Sequence, residues 1–150
     1  MVKTISVALL GNPNTGKSSV FNTLTGLKQT VGNYPGVTVE KKIGSFAIDR
    51  TTSVQLIDLP GTYGLNTQSI DQSIVFELLL NKNNKDFPDV VIVVADIENL
   101  KRNLLLFSQI KDLEIPTILA INMSDQLTSK GIEINVEKLE EELDTKVVLL

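Results

Sequence analysis

The residues best suited to chemistry are residues 11–18, which read Gly-Asn-Pro-Asn-Thr-Gly-Lys-Ser. This segment fits the pattern of a P-loop, whose backbone N–H groups surround phosphate oxygens. Lys17 would reach the β- and γ-phosphates of a nucleotide, and the Ser18 hydroxyl would ligate Mg²⁺. The residues expected to bind phosphate here are Gly11, Asn12, Pro13, Asn14, Thr15, Gly16, Lys17, Ser18 and Ser19.

The flanking residues supply the context that a P-loop needs. Residues 5–10 are β-branched and aliphatic, which predicts a buried strand, and Val20, Leu24 and Leu27 recur at helical spacing. A Gly-rich turn without a ligand is the competing interpretation. Because the pattern arises by chance in on the order of one chain of this length in a few hundred, we favour the phosphate site.

A second candidate segment, Asp58-Leu59-Pro60-Gly61, follows a predicted strand over residues 54–57. Ligands gather at the carboxyl ends of the strands in an open parallel sheet, so Asp58 is expected beside the P-loop. It would hold Mg²⁺ through a bound water, while the Gly61 N–H meets the γ-phosphate. An aspartate before a Pro-Gly turn is common on its own, and its position after a P-loop decides the interpretation.

Thr38 is the third candidate, within Gly36-Val37-Thr38-Val39-Glu40, in the loop after the first helix. A threonine there can ligate Mg²⁺ only while the γ-phosphate holds the loop closed. We expect these five residues to contact the nucleotide, and we assign Lys17, Thr38 and Gly61 to catalysis. A β-branched residue at the start of a strand would also explain Thr38.

The fourth segment, Asn122-Met123-Ser124-Asp125, follows a predicted strand over residues 116–121 and is interpreted as the base-reading motif. The Asp125 carboxylate can accept hydrogen bonds from N1–H and the 2-amino group of guanine. Adenine offers neither, so its complex would leave the carboxylate unpaired at a cost on the order of several kcal/mol. Alone, this tetrapeptide would also fit a helix-capping turn.

The remaining pattern predicts an α/β fold with a mostly parallel six-stranded sheet, helices on both faces and one antiparallel hairpin strand. The hairpin is expected at residues 39–48 and 54–58, around a polar turn at 49–53. Asn99 and Asn135 are predicted helix N-caps, and Gly26 a helix end. The six predicted strands are residues 5–10, 39–48, 54–58, 90–95, 116–121 and 146–150, and the predicted helical faces are Ile70, Ile74 and Leu78; Leu100, Leu104, Phe107 and Ile110; and Val136, Leu139 and Leu143.

Composition indicates one globular domain over residues 1–150, since 42% of the residues are hydrophobic and 21% are charged. The chain has no cysteine or histidine, which excludes disulfides, thiolate metal sites and His-based triads, but not oxygen-ligated Mg²⁺. The net charge of -4 argues against nucleic acid as a partner.

With no apolar segment long enough for a signal peptide or a membrane span, we expect a cytoplasmic location. Four glutamates between residues 137 and 142 are interpreted as a solvated helix face.

Together these motifs resemble the N-terminal G domain of FeoB-type ferrous iron transport proteins, and the resemblance covers essentially the whole chain. It implies a Ras-like P-loop GTPase fold that binds GTP and GDP. It also implies a regulatory domain at the cytosolic face of an inner-membrane Fe²⁺ transporter, with the protein's own membrane transport domain as a partner. The segments that carry the resemblance are residues 11–18, 21–26, 31–40, 58–63 and 99–104.

Two features depart from a complete Ras-like enzyme. Thr62 stands where those enzymes have the glutamine that orients the attacking water. Members of the resembled family do without it, and K⁺ can assist hydrolysis, held by an asparagine at the position of Asn14 and by carbonyls matching residues 32–37. A loop-stabilising hydrogen bond is the other interpretation of Asn14. The chain also stops before the Ser-Ala-type loop and the last helix, so we expect a C-terminally truncated domain with an incomplete guanine pocket and an exposed apolar edge.

The hypothesis is therefore a GTP-binding switch with slow hydrolysis, and two alternatives stay open. One is a GTPase of ribosome or tRNA maintenance, which normally carries a basic RNA-binding extension. The other is a module that holds nucleotide without useful turnover and signals by loop position alone. Assembly into a homo-oligomer is also left open.

Overall fold

The computed structural model describes residues 1–26, 28–65 and 68–150. Within these ranges the chain forms seven strands and five α-helices, with a short 3-10 turn at Ile97–Asn99. Leu27, predicted to extend the first helix, lies outside the described residues. The strands are β1 Lys3–Gly11, β2 Gln29–Asn33, β3 Glu40–Ala47, β4 Thr52–Asp58, β5 Val90–Asp96, β6 Thr117–Asn122 and β7 Lys146–Leu149, and the helices are α1 Lys17–Thr25, α2 Ile70–Leu80, α3 Leu100–Lys111, α4 Asp125–Ser129 and α5 Val136–Leu143.

The strands form one sheet in the order β2-β3-β4-β1-β5-β6-β7. Strand β1 lies at its centre, parallel to β4 and β5, and the sheet continues in parallel through β6 to β7. Strand β3 is antiparallel to β4, which confirms the predicted hairpin. This mostly parallel sheet with helices between its strands confirms the predicted α/β fold class. The sequence pattern predicted it because continuously apolar strands that alternate with helices belong to a sheet covered on both faces.

The strand count differs from the prediction of six. Strand β2 was not predicted, and it pairs antiparallel with β3 at the edge of the sheet. All five of its residues are exposed, and Val31 is its one aliphatic side chain. Because no face of β2 is buried, it lacks the alternation of apolar and polar residues by which a strand is predicted.

The predicted helical faces pack largely as expected. In α3, Phe107 and Ile110 are buried, while Leu100 and Leu104 pack against the same core. In α5, Val136, Leu139 and Leu143 also pack against this core.

The predicted face of α2 is wrong at one position. Leu78 is buried and Ile74 packs against the core, but Ile70 is 59% exposed. The helix begins at Ile70 and buries Val75 and Leu79 instead, so its apolar stripe starts one turn later than predicted.

The predicted helix ends fall where expected, with one difference. The Asn135 side chain accepts from the Lys138 N–H at 3.0 Å and caps α5, and Gly26 ends α1 with φ 61°. Asn99 occupies the N-cap position of α3 without a capping bond, because its amide donates instead to Asp96 at 2.9 Å.

Three of the four glutamates of α5, namely Glu137, Glu141 and Glu142, are exposed, as predicted for a solvated face, and Glu140 is half-buried. Glu140 accepts a hydrogen bond from the Val147 N–H at 3.0 Å, and this bond lowers the pKa of its carboxyl group. In the described parts of the chain, no group of three or more acidic residues could hold a metal ion.

Of the helices that the structure describes, none combines the length and apolar character needed to cross a membrane. Val148, Leu149 and Leu150 are exposed at the last strand of the sheet.

Candidate functional site

The predicted segments meet at one edge of the sheet. Strand β1 ends at Gly11, β4 at Asp58 and β6 at Asn122. The pairing of Leu9 with Asp58 puts the ends of β1 and β4 side by side, and β5 lies between β1 and β6. Three motifs separated by up to 111 positions in the sequence are thus presented at the carboxyl ends of neighbouring strands, as the spacing predicted.

The P-loop conformation depends on its glycines. A Cβ on Gly11 would lie 2.7 Å from the Val94 carbonyl oxygen, and one on Gly16 would lie 2.1 Å from Asn122 Nδ2. Gly16 also has φ 83°, which L side chains rarely adopt. The buried Thr15 hydroxyl donates to the Asn12 carbonyl at 3.0 Å. The loop is therefore held in one shape by its own contacts.

Two residues in the candidate loops adopt the left-handed conformation without being glycine. Asn14 has φ 65°, which asparagine tolerates, and Met123 has φ 63°, where a long side chain is strained. Such outliers are enriched at functional sites, although Glu114 and Asp144 adopt the same conformation in turns outside the candidate site. Nothing in the sequence around Met123 predicted this left-handed conformation.

Lys17 and Asp58 form the charged centre of the site. Lys17 is the first residue of α1, and its Nζ donates to Asp58 Oδ1 across the gap between the two motifs. Each side chain is 11% exposed. Ser18, in the first turn of α1, adds an exposed hydroxyl. A carboxylate and a hydroxyl are the oxygen donors that Mg²⁺ takes from proteins, so this donor set fits the predicted metal.

An open cleft of about 500 Å³ lies over these residues. It brings the P-loop together with Gly61, as predicted. It also includes Asp71, in the first turn of α2, which no motif had indicated. The cleft residues are Asn12, Pro13, Asn14, Gly16, Lys17, Ser18, Ser19, Gly61 and Asp71.

The segment Asn122–Asp125, predicted to read the base, is tied to the P-loop by a direct hydrogen bond. Asn122 Nδ2 donates to the Thr15 carbonyl at 3.0 Å. Asp125 begins α4 and is exposed, and the Ser124 hydroxyl donates to the Leu150 carbonyl. The structure thus places this segment next to the phosphate loop, with its carboxylate accessible.

Residues 34–40, here called the switch I loop, are not gathered into the cleft. Gly36, Thr38 and Glu40 are exposed, while Val37 and Val39 pack in part against the core. The Tyr34 N–H donates to the Val39 carbonyl at 3.0 Å, which closes a tight turn. Thr38 is not among the residues that line the cleft over Lys17, and it stays a predicted ligand.

Tyr34 anchors this loop, and the sequence analysis did not identify it in that role. Tyr34 is only 6% exposed, and its hydroxyl lies 3.4 Å from the Asp58 carbonyl oxygen. Lys41 lies 5.6 Å over the ring and pairs with Asp86 at 2.5 Å. Burial, together with the charges of Asp58 and Asp86, raises the pKa of Tyr34 well above its ordinary value. The neutral tyrosine fastens the start of the loop to the end of β4.

Thr62 is buried beside the cleft rather than aimed into it. It is 2% exposed, its N–H donates to the Gly11 carbonyl at 3.0 Å, and its hydroxyl donates to the Gly64 carbonyl at 2.8 Å. A Cβ on Gly61 would lie 3.2 Å from Pro13 Cα, so the backbone here packs directly on the P-loop. Thr62 thus cannot replace the water-orienting glutamine.

A P-loop at the end of β1, an aspartate at the end of β4 and an Asn-x-x-Asp segment that starts at the end of β6 define a G domain of the Ras-like P-loop GTPase class. The family model "Ferrous iron transport protein B" matches residues 5–150. The chain belongs to this family, at its N-terminal G domain. This family assignment decides against the alternative of a ribosome or tRNA maintenance GTPase.

Curated relatives support the family across the whole chain. The Fe(2+) transporter FeoB of Leptospira biflexa is 42% identical over 149 residues, which cover 99% of this chain and 21% of the relative. FeoB of Salmonella typhimurium is 44% identical over 155 aligned residues, which cover 99% of this chain and 19% of the relative. The chain spans about one fifth of the length of these relatives.

Solved structures of FeoB proteins support the same family assignment. The G domain of the T. maritima FeoB iron transporter superposes with a TM-score of 0.87 at 42% identity, covering 98% of this chain and 87% of that one. A GDP-bound mutant of S. thermophilus NFeoB superposes with a TM-score of 0.86 at 41% identity, covering 100% of this chain and 56% of that one.

Proposed function

We propose that this chain is a GTP-binding switch domain with slow, K⁺-assisted GTP hydrolysis that regulates ferrous iron transport across the bacterial inner membrane. Its relatives are named as Fe(2+) transporters, and the similar S. thermophilus structure holds GDP. In this proposal GTP and GDP are the ligands of residues 11–19, 36–40, 58–61 and 122–125.

One observation carries the proposal: Asn122 Nδ2 bonds to the Thr15 carbonyl, 107 positions away in the sequence. This bond puts the base-reading segment and the phosphate loop at a fixed separation. A phosphate loop alone serves any nucleoside triphosphate. A loop carrying Asp125 at a fixed distance from it can select the base as well.

In this proposal, different residues of the chain stabilise charge on the phosphates and hold the metal during phosphoryl transfer. Lys17 and the P-loop N–H groups would stabilise charge on the phosphates, and the Gly61 N–H would contact the γ-phosphate. Ser18, Thr38 and Asp58 would hold Mg²⁺, which supplies positive charge at the phosphate oxygens when bound. The Lys17–Asp58 contact must then give way, because each group takes a new partner.

Slow turnover follows from Thr62. Its hydroxyl already donates to the Gly64 carbonyl inside the protein, so no side chain at this position aligns water. Asn14 is exposed at the rim of the cleft with its backbone in the left-handed conformation, and it would hold K⁺ beside the phosphates. The alternative of a module without useful turnover is separated from this proposal by measuring phosphate release.

The setting of the domain is proposed from its relatives. The full-length protein would place this domain at the cytosolic face of the inner membrane, where its loops act on the protein's own transport domain. Nucleic acid is not an expected partner, because the net charge is -4. The homo-oligomeric state is left to measurement.

The variant Asp125→Asn tests the base-reading role. An amide at residue 125 can donate to the 2-carbonyl of xanthine, so this variant should lose affinity for GTP by about 100-fold and gain affinity for xanthosine triphosphate. Competition against a fluorescent guanine nucleotide measures both affinities. Asp112→Asn, at an exposed carboxylate beyond α3, is the matched control and should bind like the wild type. Unchanged preference in Asp125→Asn would refute the assignment.

A further inference from the structure

The segment after Asp58 is held by α3 rather than by the sheet alone. Residues 61–65, here called the switch II segment, form neither helix nor strand. The Leu65 N–H donates to Gln109 Oε1 at 2.9 Å, and the Arg102 guanidinium carbon lies 4.4 Å from the centre of the Tyr63 ring. Arg102 and Gln109 are seven residues apart, so they lie on one face of α3, two turns from each other.

The helix provides a rigid platform for these contacts. Leu106, Phe107 and Ile110 of α3 are buried in the core, and Leu106 lies between Arg102 and Gln109 along the helix surface. Asn103, only 3% exposed, accepts from the Asp96 N–H at 2.7 Å and ties the start of α3 to the end of β5. Side chains that flank the buried Leu106, such as Arg102 and Gln109, thus have a fixed position relative to the sheet.

The other side of the switch II segment touches the P-loop. Gly61 packs on Pro13, and the Thr62 N–H bonds to the Gly11 carbonyl at 3.0 Å. A polar cavity of about 240 Å³ is lined jointly by Tyr63, by Arg102 of α3 and by Asn12 and Asn14 of the P-loop. The segment is therefore held between α3 and the phosphate loop.

This arrangement matters because Thr62 cannot align water. In the proposed function the backbone N–H of Gly61 is then the contribution of this segment to the γ-phosphate, and its position depends on the contacts of residues 61–62 with the P-loop and of residues 63–65 with α3. We infer that Arg102 and Gln109 are positioning residues that hold the Gly61 N–H at the γ-phosphate side of the site, and so set the rate of hydrolysis. The inference rests on the proposed GTPase function.

Single-turnover GTP hydrolysis and GDP affinity, measured on the wild type and on single variants, test this role. Arg102→Ala and Gln109→Ala should each slow hydrolysis by about threefold to tenfold, the effect of losing one contact of this kind. GDP affinity should stay within about twofold of the wild type, because GDP has no γ-phosphate.

Conservative variants separate positioning from general damage. Gln109→Glu keeps an oxygen that accepts from the Leu65 N–H, and Arg102→Lys keeps a cation over Tyr63, so both should recover most of the rate. Lys101→Ala, at the exposed neighbour of Arg102, should hydrolyse like the wild type. Wild-type rates in both alanine variants, or rates and GDP affinities that fall together, would overturn the inference. A wild type that binds no guanine nucleotide would instead overturn the proposed function.

Discussion

The P-loop follows β1 and the switch I loop joins β2 to β3 in the same sheet, but the two loops are built differently. The P-loop has two buried polar residues, Asn12 and Thr15, an internal hydrogen bond and two glycines whose Cβ positions are blocked. The switch I loop exposes Thr38 and is fastened mainly at Tyr34. The comparison indicates that the phosphate loop is preformed, whereas the switch I loop must rearrange before Thr38 can ligate a metal at the cleft.

The largest expected effect is at Lys17 in the preformed loop. Lys17→Ala removes the cation facing the phosphates and leaves Asp58 without its partner, so GTP and GDP affinity should fall by about 100-fold or more. Isothermal titration calorimetry measures this loss. Lys82→Ala, at an exposed lysine, is the control and should bind normally. Near-normal affinity in Lys17→Ala would contradict the phosphate-site assignment.

The tight packing at the P-loop and the open space beside β2, the strand before the switch I loop, predict opposite outcomes for glycine substitutions. Gly11→Ala should lower the free energy of unfolding by about 1–3 kcal/mol, because its methyl group would meet the Val94 carbonyl oxygen. Gly32→Ala, in β2, has nothing within 4 Å of its Cβ and should be neutral or slightly stabilising. Urea unfolding of both variants measures the difference. Equal effects would show that the P-loop is not tightly packed.

The movement of the switch I loop is tested at Thr38. Thr38→Ala should slow GTP hydrolysis by about tenfold and leave GDP affinity unchanged, because the residue is expected to act only with the triphosphate. Thr30→Ala, at an exposed position in β2, is the matched control. If GDP affinity falls with the rate, Thr38 belongs to a preformed site and the contrast between the two loops fails.

The smallest expected effect concerns Asn14. Wild-type hydrolysis should be a few-fold faster in KCl than in NaCl at equal ionic strength, and Asn14→Ala should remove this difference while keeping GDP binding. Phosphate release under single-turnover conditions measures both rates. Equal rates in the two salts for the wild type would refute the K⁺ part of the proposal.

The sequence was sufficient to predict the residues that follow buried strands. Gly11, Asp58 and Asn122 come directly after apolar runs, and parallel strands carry such residues to one edge. Strand β2 could not be predicted, because its exposed residues have no apolar period. The contact between Tyr63 and Arg102 and the burial of Tyr34 depend on how distant segments approach each other. No local spacing encodes that approach.

The most direct test of guanine nucleotide binding is competition on the wild-type protein. A fluorescent guanine nucleotide, bound in Mg²⁺ and KCl, is displaced with unlabelled GTP and, separately, with ATP. GTP should displace it and ATP should not, because Asp125 has no partner on adenine. Equal displacement by both nucleotides would contradict the base-reading role of Asn122 and Asp125 and leave only a general phosphate site at the P-loop.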